Sequence, residues 1–257
     1  MGGIAARAAL DRGIEATLRR DRRVVTASLA LVIALAWLYL WRDQREMSGM
    51  DMAGMSMPLA LGFAMWTIMM IGMMLPSAAP TILFYGALVR KNSERGSVLP
   101  AVWVFTSGYL AVWTAFSLLA ALLQASFEQA MLVTPMMVSA SNGFSAAILI
   151  AAGMYQWLPI KQICLRKCRN PIEFFTMRWR AGALGALRMG LEHGLYCLGC
   201  CWALMLLLFV AGVMNLLWVA LIAAFVFVEK LLPAEKFTSR FASVALILSG
   251  LALLAGA

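Results

Sequence analysis

A chain of 257 residues that is 63% hydrophobic and only 13% charged, with a mean hydropathy of +0.85, has lipid rather than water as its main solvent. The formal charge of +9 does not signal nucleic acid, because Lys and Arg fall in short clusters between apolar runs, as they do in a membrane protein that orients itself by charge. Five cysteines spaced Cys164-x-x-x-Cys168 and Cys197-x-x-Cys200-Cys201 do not form the even framework of a small secreted domain; they read as ligands or redox thiols.

The first element is a basic segment with Arg7, Arg12, Arg19, Arg20, Arg22 and Arg23, followed by the apolar run Val24 to Trp41. That run is long enough to cross a hydrocarbon core of roughly 30 Å, and it lacks a small-residue cleavage site, so it reads as an uncleaved first helix. Next comes the loop Met47-Ser-Gly-Met50-Asp-Met52-Ala-Gly-Met55-Ser-Met57, with five methionines in eleven residues. Thioether is a neutral soft donor that suits Cu(I) and survives where thiols would oxidise, so Met50, Met52 and Met55 are candidate ligands; a flexible Gly/Met linker is the plainer alternative. Residues 1–58 therefore form an N-terminal unit ahead of a membrane domain over 59–257.

The second apolar run, Leu59 to Val89, places Met65, Met69 and Met73 four apart on one helix face, with Met70 and Met74 on a shorter ladder beside it. Methionine also fills gaps in apolar helices, so the ladder is either core or a file of weak soft sites. Pro76 and Pro80 are expected to kink or break this helix and leave carbonyls free. Further runs at Val98 to Ala125, Ser139 to Leu158, Gly182 to Gly212, Val213 to Val228 and Phe241 to Ala257 bring the expectation to about seven transmembrane helices in an all-α bundle. The turn between the fifth and sixth should fall at Gly212-Val-Met-Asn215. Basic clusters recur after every second span, which predicts a cytoplasmic N-terminus and a periplasmic Met-rich loop in a bacterial inner membrane.

Within the basic stretch after Leu158, Cys164 and Cys168 would face one way in a short helix, as a Cu(I) or Zn(II) exit site, a reactive dithiol, or incidental thiols in a lipid-anchoring loop. The fifth run carries the densest chemistry: His193, the only histidine, stands four residues from Cys197 and eight from Cys201, with Cys200 adjacent. One imidazole and three thiols on a stripe of an apolar helix point to soft-metal or redox chemistry more than to three incidental buried cysteines. Gly190-x-x-x-Gly194 on the same helix should admit a neighbouring backbone closely; were that neighbour the Met-bearing second helix, sulfurs of both could complete one site.

Four separated motifs occur in order: Met65-Trp66 through Met74-Leu75-Pro76-Ser77-Ala78-Ala79-Pro80; Tyr155-Gln156 with Pro159-x-Lys161 and Cys164-x-x-x-Cys168-Arg169; His193-Gly-x-Tyr-Cys197-x-Gly-Cys200-Cys201-Trp202; and Gly212-Val-Met214-Asn215 with Glu229-Lys230. Over about residues 60 to 235 the chain resembles a bacterial family known only as predicted metal-binding integral membrane proteins, a domain of unknown function. The resemblance implies that the quoted Met, His and Cys positions are metal ligands. The resulting expectation is a copper-handling membrane protein, a Cu(I) transporter or chaperone, with membrane lipid and a periplasmic or membrane copper protein as partners and an oligomer or complex left open. No ATP-binding loop of the Gly-x-x-x-x-Gly-Lys type and no intramembrane phosphorylation motif is present, so any transport would be passive or driven through a partner, and an enzyme is the less favoured class. Two other classes stay open: a thiol–disulfide oxidoreductase using Cys197-x-x-Cys200, and a structural subunit of a larger complex in which His193 is a haem ligand or a packed polar residue.

Overall fold

A computed structural model describes residues 2–47, 58–92, 98–134, 139–231 and 235–256. Met50, Met52 and Met55 lie outside the described residues. The described chain is helical, in the order α1 (Gly2–Met47), α2 (Leu59–Asn92), α3 (Leu99–Gln129), α4 (Asn142–Trp157), α5 (Pro159–Arg169), α6 (Pro171–Arg178), α7 (Gly182–Met205), α8 (Leu207–Ala211), α9 (Leu216–Leu231) and α10 (Glu235–Leu254).

Each of the seven apolar runs is helical, but they differ in length. Four stretches among the described residues are long and apolar enough to cross a membrane: Arg20–Glu46, Leu59–Lys91, Leu99–Gln129 and Gly182–Ala211. A fifth arises if α4 and α5, bent by 66° at their junction, count as one broken span. The bend has a local cause: Pro159 begins α5 and holds Leu158 extended at φ −63°, ψ 137°. The last two apolar runs are α9, of 16 residues, and the apolar part of α10, Thr238–Leu254. Both are shorter than the roughly 20 residues an upright crossing requires.

Two sequence expectations change here. The basic segment after Leu158 is two short helices, α5 and α6, and α5 packs on α7 instead of forming a lipid-anchoring loop. Pro76 and Pro80 do not break α2, which runs from Leu59 to Asn92 through both. Proline at 76 cannot donate to the Gly72 carbonyl one turn earlier. That carbonyl is satisfied from outside the helix, by Trp37 Nε1 of α1 at 3.2 Å. The turn between α8 and α9 falls where expected, with Gly212 at φ +90°, a backbone conformation open to glycine and strained for other residues.

α2, α3 and α7 pack side by side, α1 covers the outer face of α2, α5 lies on α7, and α4 pairs with α10. The α3–α7 contact is set by glycine. A Cβ on Gly190 would stand 2.0 Å from the Phe105 carbonyl oxygen, and one on Gly108 would stand 2.4 Å from that of Leu187. The helix that approaches the glycine face of α7 is therefore α3, not the Met-bearing α2.

Gly190→Val should lower stability by about 2–3 kcal/mol through overpacking against backbone that cannot retreat. Gly143→Ala, with nothing within 4 Å of the added carbon, should be neutral. Thermal unfolding of the detergent-purified protein, followed by circular dichroism, checks the pair.

Candidate metal centre

The stripe of α7 that carries His193, Cys197 and Cys201 turns into the bundle, and with Cys200 all four side chains are at most 1% exposed. Helical periodicity aligned them; burial comes from α3 on the glycine side and α5 on another, with Met74 of α2 reaching Cys201. Tyr109 of α3 places its Oη 3.1 Å from Cys197 Sγ and donates to the Met74 carbonyl at 3.1 Å. Lys230, near the end of α9, donates to Cys197 Sγ at 2.9 Å and to Ser77 Oγ at 2.8 Å. Cys197 is thus the focus of a polar cluster inside an otherwise apolar core.

The other sulfurs gather around it. The thiols of Cys200 and Cys201 each donate to the Cys197 carbonyl at 3.0 Å, and Cys201 Sγ lies 3.9 Å from Met74 Sδ of α2. Cys168, from α5, is buried in the same core, close to Cys197 and Cys200. Four thiols and one thioether from α2, α5 and α7 therefore occupy one place. Cys164 sits one turn earlier on α5, half-buried, its sulfur 2.7 Å from where a Cβ on Gly199 would be. Only a glycine at 199 leaves that sulfur room, and Tyr155 Oη donates to the Gly199 carbonyl at 2.5 Å beside it.

His193 lies one turn from Cys197 among aromatic rings, its own ring centred 5.6 Å from Phe174, 5.8 Å from Tyr109 and 6.1 Å from Phe105. Its Nδ1 is buried without a hydrogen-bond partner, a donor or acceptor that a ligand could use. Among the described residues, no three His, Cys, Asp or Glu groups stand ready as a metal-ligand set. The cysteines are engaged with one another, with Tyr109 and with Lys230, so binding a metal requires side-chain rotation that trades these hydrogen bonds for metal–sulfur bonds.

Met65, Met69 and Met73 are all buried, at 2%, 1% and 1% exposure. The ladder that reaches the thiols is the neighbouring one, through Met74. Met65 and Met69, nearer the N-terminal end of α2, line a small pocket with Asp43 and Met214.

Sequence reasoning missed Tyr109 and Lys230. Tyr109 sits in a plain apolar helix with nothing to mark it. Lys230 could have been found: Glu229-Lys230 is an ionisable pair at the end of an apolar run, and such pairs require partners. Glu229 meets Lys161, a residue expected in a solvated basic loop but 0% exposed. Lys161 Nζ donates to Glu229 Oε1 at 2.5 Å and to Gln156 Oε1, and Ser239 donates to the same carboxylate oxygen at 2.7 Å.

Fold and site together define an all-helical protein with membrane-length apolar helices wrapped around a buried cluster of thiols. Residues 63–253 match the family PpoB2, described as copper chaperone, and the chain belongs to that family. No curated protein and no solved structure matches it.

Replacing Lys161 with Leu leaves Glu229 as a buried charge without its cation and should cost about 3–5 kcal/mol. The double variant Lys161→Leu/Glu229→Leu should regain much of that loss. Melting temperatures of both variants against the parent check the difference.

Proposed function

We propose that the protein is a bacterial inner-membrane copper chaperone that carries Cu(I) as cargo on the sulfurs of Cys168, Cys197, Cys200, Cys201 and Met74. The observation that carries this reading is the meeting of those five sulfurs, from three helices, around a cysteine addressed by Lys230 and Tyr109. Soft donors of this kind select Cu(I) over hard cations, and a thioether among them favours Cu(I) over Zn(II). Lys230 donates to Cys197 Sγ. Cargo binding replaces that bond with metal–sulfur bonds, releases the protons of the ligating thiols and leaves the ammonium on Ser77. His193, with its unpartnered Nδ1, is the nitrogen donor nearest the thiols on the same stripe.

In this reading the arginine-rich N-terminus is cytoplasmic, α9 and α10 complete about seven crossings, and the Met-rich loop with Met50, Met52 and Met55 collects the ion on the periplasmic side. Met65, Met69 and Met73 lie between that loop and the thiols on α2, and Cys164 extends the sulfur row beyond them on α5. The recipient is a periplasmic or membrane copper protein that receives the ion during its assembly. Thiol–disulfide exchange is the weaker reading, because it needs accessible cysteines and the three on α7 are at most 1% exposed.

Protein purified with the substitutions Cys197→Ser, Cys200→Ser and Cys201→Ser should lose high-affinity Cu(I) in competition with a Cu(I) chelator. Met74→Leu alone should weaken binding by about tenfold, ~1.4 kcal/mol. Unchanged metal content in the triple variant would sink the proposal.

A further inference from the structure

A second group of soft donors stands away from the thiols, at the end of the bundle where α1 and α2 are joined. There a small pocket opens between the last turns of α1, the first turns of α2 and the α8–α9 turn, lined by Asp43, Met65, Met69 and Met214 with Leu40 and Val219 among its apolar walls. Three methionines from two separate parts of the chain line it together with one aspartate. Met65 and Met69 are buried, Met214 and Asp43 half-buried. Among the described residues no cation pairs with Asp43, although it sits in an apolar-walled pocket where a carboxylate is costly. Three uncharged sulfurs and one negative charge suit a soft monovalent cation and offer little to a hard divalent one.

Two placements give the pocket a role. α1 ends at Met47 and α2 begins at Leu59, so the methionine-rich segment 48–57 is tethered on both sides to the helix ends that form the pocket. On the same helix, Met74 touches Cys201, and from Met69 to Met74 the axial rise is only about 7.5 Å at 1.5 Å per residue. Asp43 also lies before residue 63, where the match to the copper chaperone family begins. The carboxylate thus lies on α1, outside the matched residues.

We propose that Asp43, Met65, Met69 and Met214 form a second Cu(I) site, weaker than the thiol cluster and placed to pass the ion down α2 to it. The proposal rests on the copper-chaperone reading and adds an entry station to it. Neutral thioethers give an exchangeable site, and the carboxylate balances the charge of the ion once its water is gone.

The test uses full-length protein in detergent, loaded with Cu(I) under reducing conditions and titrated with a Cu(I) chelator, in a Cys197→Ser/Cys200→Ser/Cys201→Ser background. That background should retain one weaker Cu(I), with sulfur and oxygen neighbours in its X-ray absorption spectrum. Adding Met65→Leu, Met69→Leu and Met214→Leu should remove it, Asp43→Asn should weaken it about tenfold, and Met50→Ser/Met52→Ser/Met55→Ser should leave it in place. The inference is overturned if the background binds no copper while the parent does, if the leucine or Asp43 variants leave the retained copper unchanged, or if the loop variant removes it. Copper held by the background as tightly as by the parent counts against the thiol site, and the pocket variants then still decide the second one. Should the triple leucine variant fail to fold, Asp43→Asn and Met214→Leu, both at half-buried positions, carry the test singly.

Discussion

Two adjacent ionisable side chains at the end of α9 govern the arrangement of everything around them. Glu229 and Lys230 are one residue apart and so point about 100° apart around the helix. Inside an apolar bundle neither tolerates isolation, because a buried unpaired charge costs several kcal/mol. Glu229 therefore takes Lys161 and Ser239, which draws α5 and α10 to α9, while Lys230 takes Ser77 and Cys197, which draws in α2 and α7. The position of Cys168 beside Cys197 follows from this, since Cys168 and Lys161 are carried by the same short helix.

The second constraint is steric. Gly108 and Gly190 bring the backbones of α3 and α7 so close that no side chain fits between them. That depth lets Tyr109 reach both Cys197 and the Met74 carbonyl, and it lets Phe105 close over His193. A site formed this way is closed to bulk solvent and shielded from large thiol partners. It suits a small ion handed along a row of sulfurs better than it suits exchange between protein disulfides.

Membership of the copper chaperone family and the sulfur chemistry both point to copper. The match begins at residue 63. α1, the methionine-rich segment and Asp43, at the pocket end, precede it, whereas every residue of the thiol end lies within it. The two ends are joined by one continuous helix, α2, whose proline-freed carbonyl is secured by Trp37 of α1. An uninterrupted α2 keeps Met65, Met69 and Met74 in fixed register between pocket and cluster.

What the sequence determined by itself was local and periodic. Apolar run lengths set which segments are helices, and Gly212 with Asn215 marked the turn before α9. Four-residue spacing put His193, Cys197 and Cys201 on one stripe, and the small residues at 190 and 194 announced a close neighbour. Which neighbour it was lay beyond reach, because periodicity identifies the face a helix presents and says nothing of the helix that fills it. Only the tertiary structure brought α3 rather than α2 to the glycines, Met74 rather than Met73 to the thiols, and Cys168 into the cluster instead of a separate exit. It also turned Lys161 from a solvated basic residue into a buried partner of Glu229 and aimed Lys230 at Cys197. The physical reason is common to all of these: pairing a buried charge or closing a backbone contact is a long-range condition, satisfied by residues tens of positions away that carry no mark of it in their own surroundings.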